Sequence, residues 1–146
     1  MKPVKLNFKK LSPEAVTPKY SKSGDCGADL TATSMLETGM YIEYGTSLAV
    51  EIPPGYVGLI YPRSSCSNYA LILSNCVGVV DPGYTGEIRF RFKKSNPYPF
   101  ADHRVYAIGD RIGQLIVQQV PRMLFNEVEE LEQSERGSLG FGSSGV

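Results

Sequence analysis

The 146-residue chain has no tryptophan, one histidine, three cysteines and no net charge, with fifteen basic residues against fifteen acidic ones. Each shortage excludes something. The lone histidine, His103 between Asp102 and Arg104, reads as part of a solvated loop and argues against Ser-His or Cys-His nucleophilic catalysis. Cys26, Cys66 and Cys76 are odd in number and lack CxxC spacing, which argues against a disulfide framework and a dedicated zinc site. A reducing cytoplasm is therefore the expected location. Balanced charge gives no bulk field to draw the chain to nucleic acid or an anionic membrane, so any anionic ligand must be held by local groups. No apolar run approaches the roughly 20 residues of a membrane span, and the first ten residues carry no signal-peptide core. The expected partners include neither nucleic acid nor membrane.

What is present is a series of short strand-like segments separated by turn signals. Val4, Leu6 and Phe8 alternate with polar residues. Residues 47–52 stop at Pro53, residues 56–61 stop at Pro62, and residues 112–120 stop at Pro121. Ile88, Phe90 and Phe92 alternate with Arg89, Arg91 and Lys93, the period of a strand buried on one face. The fold class expected is all-β, a jelly-roll-like barrel of short strands. Residues 124–136, with Val128 and Leu131 among five glutamates, fit either an amphipathic helical turn or a strand through Val128 followed by an acidic loop. The Gly/Ser-rich end divides the chain into a β domain over residues 1–135 and a flexible tail over 136–146.

Residues 75–87 are the most informative stretch. Two apolar runs flank Pro82 and Gly83, which reads as a β-hairpin. Asp81 closes the first run and Tyr84 follows the turn. A carboxylate, an aromatic ring and strand amides together suit a hydrolase that reads a small planar ligand. Elsewhere each local pattern has two readings. Pro62, Arg63, Ser64, Ser65, Cys66 and Ser67 suit the start of a short helix, where a serine either caps an amide or helps form an anion site. The run Gly109 to Gln114 is either a solvated turn or a ligand edge. Asp29 is either satisfied by local amides or a magnesium-water ligand. Gly140, Gly142 and Gly145 spell GxGxxG, but only Val146 follows, so the dinucleotide reading fails for want of a helix. The tail either hangs free or closes on a ligand, with Arg136 clamping phosphate and Phe141 stacking on a base.

Taken in order, these five patterns resemble the motifs of the trimeric dUTP pyrophosphatases (dUTPases), over residues 24–146. The resemblance implies a homotrimer that converts dUTP to dUMP and pyrophosphate, limiting uracil in DNA and supplying dUMP for dTTP synthesis. It implies that Asp81 is the general base activating water for attack on the α-phosphorus. It further places Tyr84 under the deoxyribose and has Asn75 and the backbone at Gly78 pair with uracil. Arg63, Ser64, Ser65 and Gln114 would contact the phosphate chain. Arg136 would bind the γ-phosphate and Phe141 would cover the base, with Gly142 and Ser143 completing the tail contacts. Mg²⁺ would be carried mostly by the triphosphate, with Asp29 acting on it through water. The chain departs from the pattern at Ser65-Cys66-Ser67, where a Gly-Leu pair is common, at Gly83 and at Leu139. Two rival readings are a dCTP deaminase of the same fold and a non-catalytic trimeric interaction module. The deaminase would need a catalytic glutamate where this chain has Arg91, and an arginine where it has Asn68.

Overall fold

In a computed structural model the described residues are 3–69, 71–95 and 104–138. They form nine strands: β1 (Asn7–Lys10), β2 (Ala28–Thr31), β3 (Ser34–Glu37), β4 (Ile42–Glu51), β5 (Tyr56–Pro62), β6 (Leu71–Leu73), β7 (Gly78–Val80), β8 (Glu87–Lys94) and β9 (Arg111–Gln119). One short 3₁₀ helix, η1, spans Ser64–Asn68. The alternation in residues 88–93 does what its period demands: Ile88, Phe90 and Phe92 are buried while Arg89, Arg91 and Lys93 face out.

The strands make two antiparallel sheets. One has the order β1-β4-β8-β6, with β3 also on β4; the other runs β2-β9-β5-β7. Both supply one core. Leu30, Ile60, Val80, Ile112 and Leu115 of the second sheet pack with Ile42, Tyr44, Val50, Ile88, Phe90 and Phe92 of the first. The sheets approach closely where the Phe90 ring lies against Gly113, leaving no room for a side chain there. The all-β, jelly-roll-like reading therefore holds, as two packed sheets. No hydrogen-bonded strand pair closes them into a barrel among the described residues.

Two local expectations change. Residues 75–87 are not a hairpin, because β7 pairs with β5 in one sheet and β8 pairs with β4 and β6 in the other. The turn is real: the Tyr84 amide donates to the Asp81 carbonyl at 3.2 Å, and Gly83 takes φ 91°. That geometry suits Pro-Gly at its centre, but the turn crosses between sheets. Local pattern reports a turn and two strands; it carries no information on which neighbour each strand chooses. Within residues 124–136 neither the helical turn nor a strand through Val128 forms. Leu124, Phe125 and Leu131 are all more than four-fifths exposed, so no packed face exists to stabilise a short helix.

Candidate active site

The sheet order β2-β9-β5-β7 brings the separate sequence patterns together. Asp29 on β2 is the register partner of Gln114 on β9, and Gln114 is in turn opposite Tyr61 on β5. Pro62 ends β5, so Arg63 and Ser64 emerge beside Asp29. Arg63 Nε donates to Asp29 Oδ1 at 2.8 Å, while Ser21 Oγ at 2.8 Å and Arg111 Nη1 at 3.0 Å donate to Oδ2. Asp29 itself is buried. Burial works to raise its pKa, but the Ser21 hydroxyl and the two guanidinium groups outweigh it and hold the carboxyl below the ordinary aspartate value.

A polar cavity of about 310 Å³ opens over this cluster, lined by Gly27, Asp29, Arg63, Ser64 and Gln114 among others. Glycine at position 27 lets the Gln114 amide lie across it, where a side chain would push that amide aside. Asp25 also lines the cavity, so two carboxylates balance the guanidinium groups of Arg63 and Arg111, and a phosphate chain would be held by the individual donors Arg63, Ser64 and Gln114. The capping reading of the Arg63–Ser67 stretch is not what forms. η1 has no side-chain cap, and Ser67 Oγ donates instead to the Ser64 carbonyl at 2.7 Å. Ser65 does not line the cavity; its Oγ sits 3.2 Å from the Tyr106 hydroxyl.

A second cavity, of about 170 Å³, lies around Ile60, Asn75, Gly78, Val79 and Tyr84. A tight turn after β6, with Cys76 at φ 59°, aims Asn75 back toward β7. A Cβ at Gly78 would crowd both Asn75 Nδ2 and Ile60, so glycine lets amide and strand lie close. β7 is an edge strand, leaving one row of its backbone groups open to a ligand. The Tyr84 hydroxyl is committed to the Glu87 carbonyl at 2.9 Å, and its ring rests over Gly86. The Asp81 carboxylate is exposed at the turn, with no hydrogen-bond or ion-pair partner among the described residues.

The two cavities share no lining residue. Register explains why. Val80 is opposite Gly58, which sets Asp81 level with Val57, whereas Arg63 lies six residues further along β5 at roughly 3.3 Å per residue, or about 20 Å away. Within one chain the free carboxylate and the polar cup therefore stand at opposite ends of the sheet. Arg136 sits in an exposed turn at residues 135–138. Phe141, Gly142 and Ser143 lie outside the described residues, as does His103.

One cluster went unseen in the sequence. On the outer face of the first sheet, the buried Glu43 carboxylate receives Arg89 Nη1 at 2.6 Å and Arg91 Nε at 2.7 Å. Arg89 also reaches Glu87 at 2.7 Å, and Arg91 lies over the Tyr41 ring. The hydrogen bonds from Arg91 and Arg89 hold the Glu43 carboxyl below its usual pKa against the opposing effect of burial. The alternating arginines were visible, but Glu43 is more than forty positions away and only strand pairing brings it opposite them.

No group of three His, Cys, Asp or Glu side chains placed to hold a metal occurs among the described residues. Asp29 already accepts three hydrogen bonds of the roughly four its lone pairs allow. It fits a metal only through a water molecule, with most of the coordination coming from a ligand.

Fold and clefts together define a two-sheet β protein with a polar cup whose Arg63, Ser64 and Gln114 can donate to an anion, and a separate, half-apolar slot beside an open strand edge. Comparison with known proteins narrows this. The dUTPase family model matches residues 13–145, and the chain belongs to the dUTPase family. It is 39% identical to the deoxyuridine 5'-triphosphate nucleotidohydrolase of Thermobifida fusca over 97% of this chain and 79% of that one. It is 41% identical to the Corynebacterium diphtheriae protein of the same name over 99% and 95%. Among solved structures, Staphylococcus bacteriophage 80alpha dUTPase with dUpNHpp superposes with a TM-score of 0.82 at 31% identity, covering 97% of this chain and 99% of that one. A mutant dUTPase from phage phi11 of S. aureus, described with a structural Mg(II) ion, gives 0.72 at 26% identity over 89% and 100%.

Proposed function

We propose that this chain is a dUTP diphosphatase that hydrolyses dUTP to dUMP and pyrophosphate. The observation that carries the reading is the convergence, through strand register, of Asp29, Arg63, Ser64 and Gln114 into one polar cup. The slot at Asn75, Gly78 and Tyr84 takes deoxyuridine: the β7 edge and the Asn75 amide pair with uracil, and the Tyr84 ring underlies the sugar. Arg63, Ser64 and Gln114 hold the phosphate chain. The Asp81 carboxylate accepts the proton of the water that attacks the α-phosphorus, and the α–β bridging bond breaks to release pyrophosphate. Chemistry of this kind asks the protein mainly for positioning and charge stabilisation, which these groups supply without histidine. Asp29 would hold Mg²⁺ through a water molecule, and the metal, when bound, would supply neutralising charge to the triphosphate. The tail over residues 136–146 follows the β domain of residues 1–135 and closes the site, with Arg136 on the terminal phosphate, Phe141 over the base and Gly142 and Ser143 beside them.

The active form is a homotrimer whose sites are each built from more than one subunit. The separation of about 20 Å between Asp81 and Arg63 supports this, since it far exceeds the length of a triphosphate. So do the exposed Met123, Leu124, Phe125 and Leu131, which find no core in their own chain. The enzyme works in the cytoplasm, limiting uracil in DNA and supplying dUMP. Deamination is disfavoured because Arg91, tied to Glu43, stands where that chemistry needs a glutamate.

Complementation tests the shared site. Asp81→Asn and Arg63→Ala homo-oligomers are each expected to be inactive, and co-expressing them restores about a quarter of the sites if two subunits contribute. No recovery, with mixed oligomers demonstrated, would show that one chain holds both groups.

A further inference from the structure

Tyr106 has no part in the chemistry described, yet it is placed to govern it. The residue is 2% exposed and stands three positions before Gly109, at the entry to β9. Its carbonyl accepts the Tyr44 hydroxyl at 2.9 Å. Its ring packs on Tyr69 at a centroid distance of 4.5 Å and on Phe92 at 5.8 Å. The hydroxyl then has to find a partner away from water, because a buried phenol left unpaired is costly. It finds Ser65 Oγ at 3.2 Å.

Ser65 belongs to η1, which begins immediately after Arg63. That helix has no side-chain cap and no fully buried residue, so little within it fixes its position. Cys66 packs partly against the core. The Ser65 hydroxyl and the Tyr69 ring at the helix end both land on Tyr106, while Arg63 just before the helix is held by Asp29. A polar side chain replaces the Gly-Leu pair common at this place, and the structure gives it an inward partner.

We propose that Tyr106 and Ser65 form a positioning pair that fixes the turn presenting Arg63 and Ser64 to the phosphate chain, with the Ser65 hydroxyl acting inward on Tyr106 and not on substrate. This rests on the reading that Arg63 and Ser64 hold phosphate. Tyr106→Phe keeps the ring and its packing and removes one hydroxyl; Ser65→Ala removes the other; Ser65→Thr retains it.

The test is the binding of dUMP and of α,β-imido-dUTP with Mg²⁺ to the full-length parent, Ser65→Ala, Ser65→Thr, Tyr106→Phe, the Ser65→Ala/Tyr106→Phe double variant and Arg63→Ala. Each alanine or phenylalanine change is expected to weaken the triphosphate analogue by about two- to tenfold, leave dUMP much less affected, and add nothing in the double variant. Ser65→Thr should restore the parent affinity. Losses that multiply in the double variant would mean that Ser65 touches substrate directly and would overturn the pair. So would an equal loss for both nucleotides, which is the mark of a general packing defect, or no loss at all. If Arg63→Ala weakens the triphosphate analogue while Tyr106→Phe does not, only the positioning inference fails. If Arg63→Ala is silent, the phosphate reading fails and takes the pair with it.

Discussion

Replacing Asp29 by asparagine removes one negative charge from beneath two guanidinium groups and changes almost nothing in size. Its carboxylate accepts hydrogen bonds from Arg63, Arg111 and Ser21. Hydrogen bonds to charged groups contribute about 1.5–3 kcal/mol each in mutational series. Arg111 is half-exposed and Arg63 a quarter exposed, so water recovers part of that loss. Asparagine keeps one acceptor oxygen but turns an amide nitrogen toward a donor. A net destabilisation of about 2–3 kcal/mol follows, equivalent to roughly 5–10 °C in Tm for a chain of this size. The sign with pH is fixed by the lowered pKa of Asp29. The folded carboxyl releases its proton more readily than the unfolded one, so the parent's advantage is complete above the unfolded value near 3.8 and disappears as pH falls through the lower folded value. Urea unfolding of parent and variant at equal protein concentration, at pH 7 and at successive steps below pH 4, checks both parts. A parent advantage that stays constant down to the most acid point, or that is absent at pH 7, would refute the reasoning.

The remaining predictions concern turnover. Asp81→Asn should lower kcat for dUTP by about 10²–10⁴-fold, the usual cost of losing a general base, while binding of α,β-imido-dUTP measured by calorimetry survives. Truncation after Glu135 should cripple turnover and leave the cooperative unfolding of the β core, followed by circular dichroism, nearly unchanged. Protease cleavage near Gly137 should slow when α,β-imido-dUTP and Mg²⁺ are added, since ordering glycine-rich backbone costs about 1–2 kcal/mol per residue and only ligand contacts offset it. Equal cleavage rates with and without the analogue would count against the roles of Arg136 and Phe141.

The strands were legible because their burial period is local. Ile88, Phe90 and Phe92 announced β8, and Pro53, Pro62 and Pro121 marked where three strands end or have just ended. The turn at Pro82 and Gly83 was legible for the same reason, through the backbone angles those residues favour. Pairing was not. The hairpin reading failed because the choice of β5 for β7 and of β4 for β8 is set by packing across the whole core, which no window of residues contains. The Asp29 cluster shows the same limit. The aspartate, both arginines and Gln114 were each noticed as separate patterns, but their meeting depends on β2, β5 and β9 lying side by side. Glu43 was missed outright, since a glutamate on a strand gives no local sign that two arginines across the sheet will neutralise it. The Tyr106–Ser65 contact joins positions 41 apart; Ser65 stood out only as a substrate contact, and nothing local points it to Tyr106.

Product analysis in ¹⁸O-labelled water addresses the proposed reaction directly. Incubated with Mg²⁺ and either dUTP or dCTP, the protein should consume dUTP alone and give equal amounts of dUMP and pyrophosphate, with the label in dUMP, because water attacks the α-phosphorus and the α–β bond breaks. Label in pyrophosphate, release of dUDP and inorganic phosphate, conversion of dCTP to dUTP, or no turnover of dUTP would each contradict it.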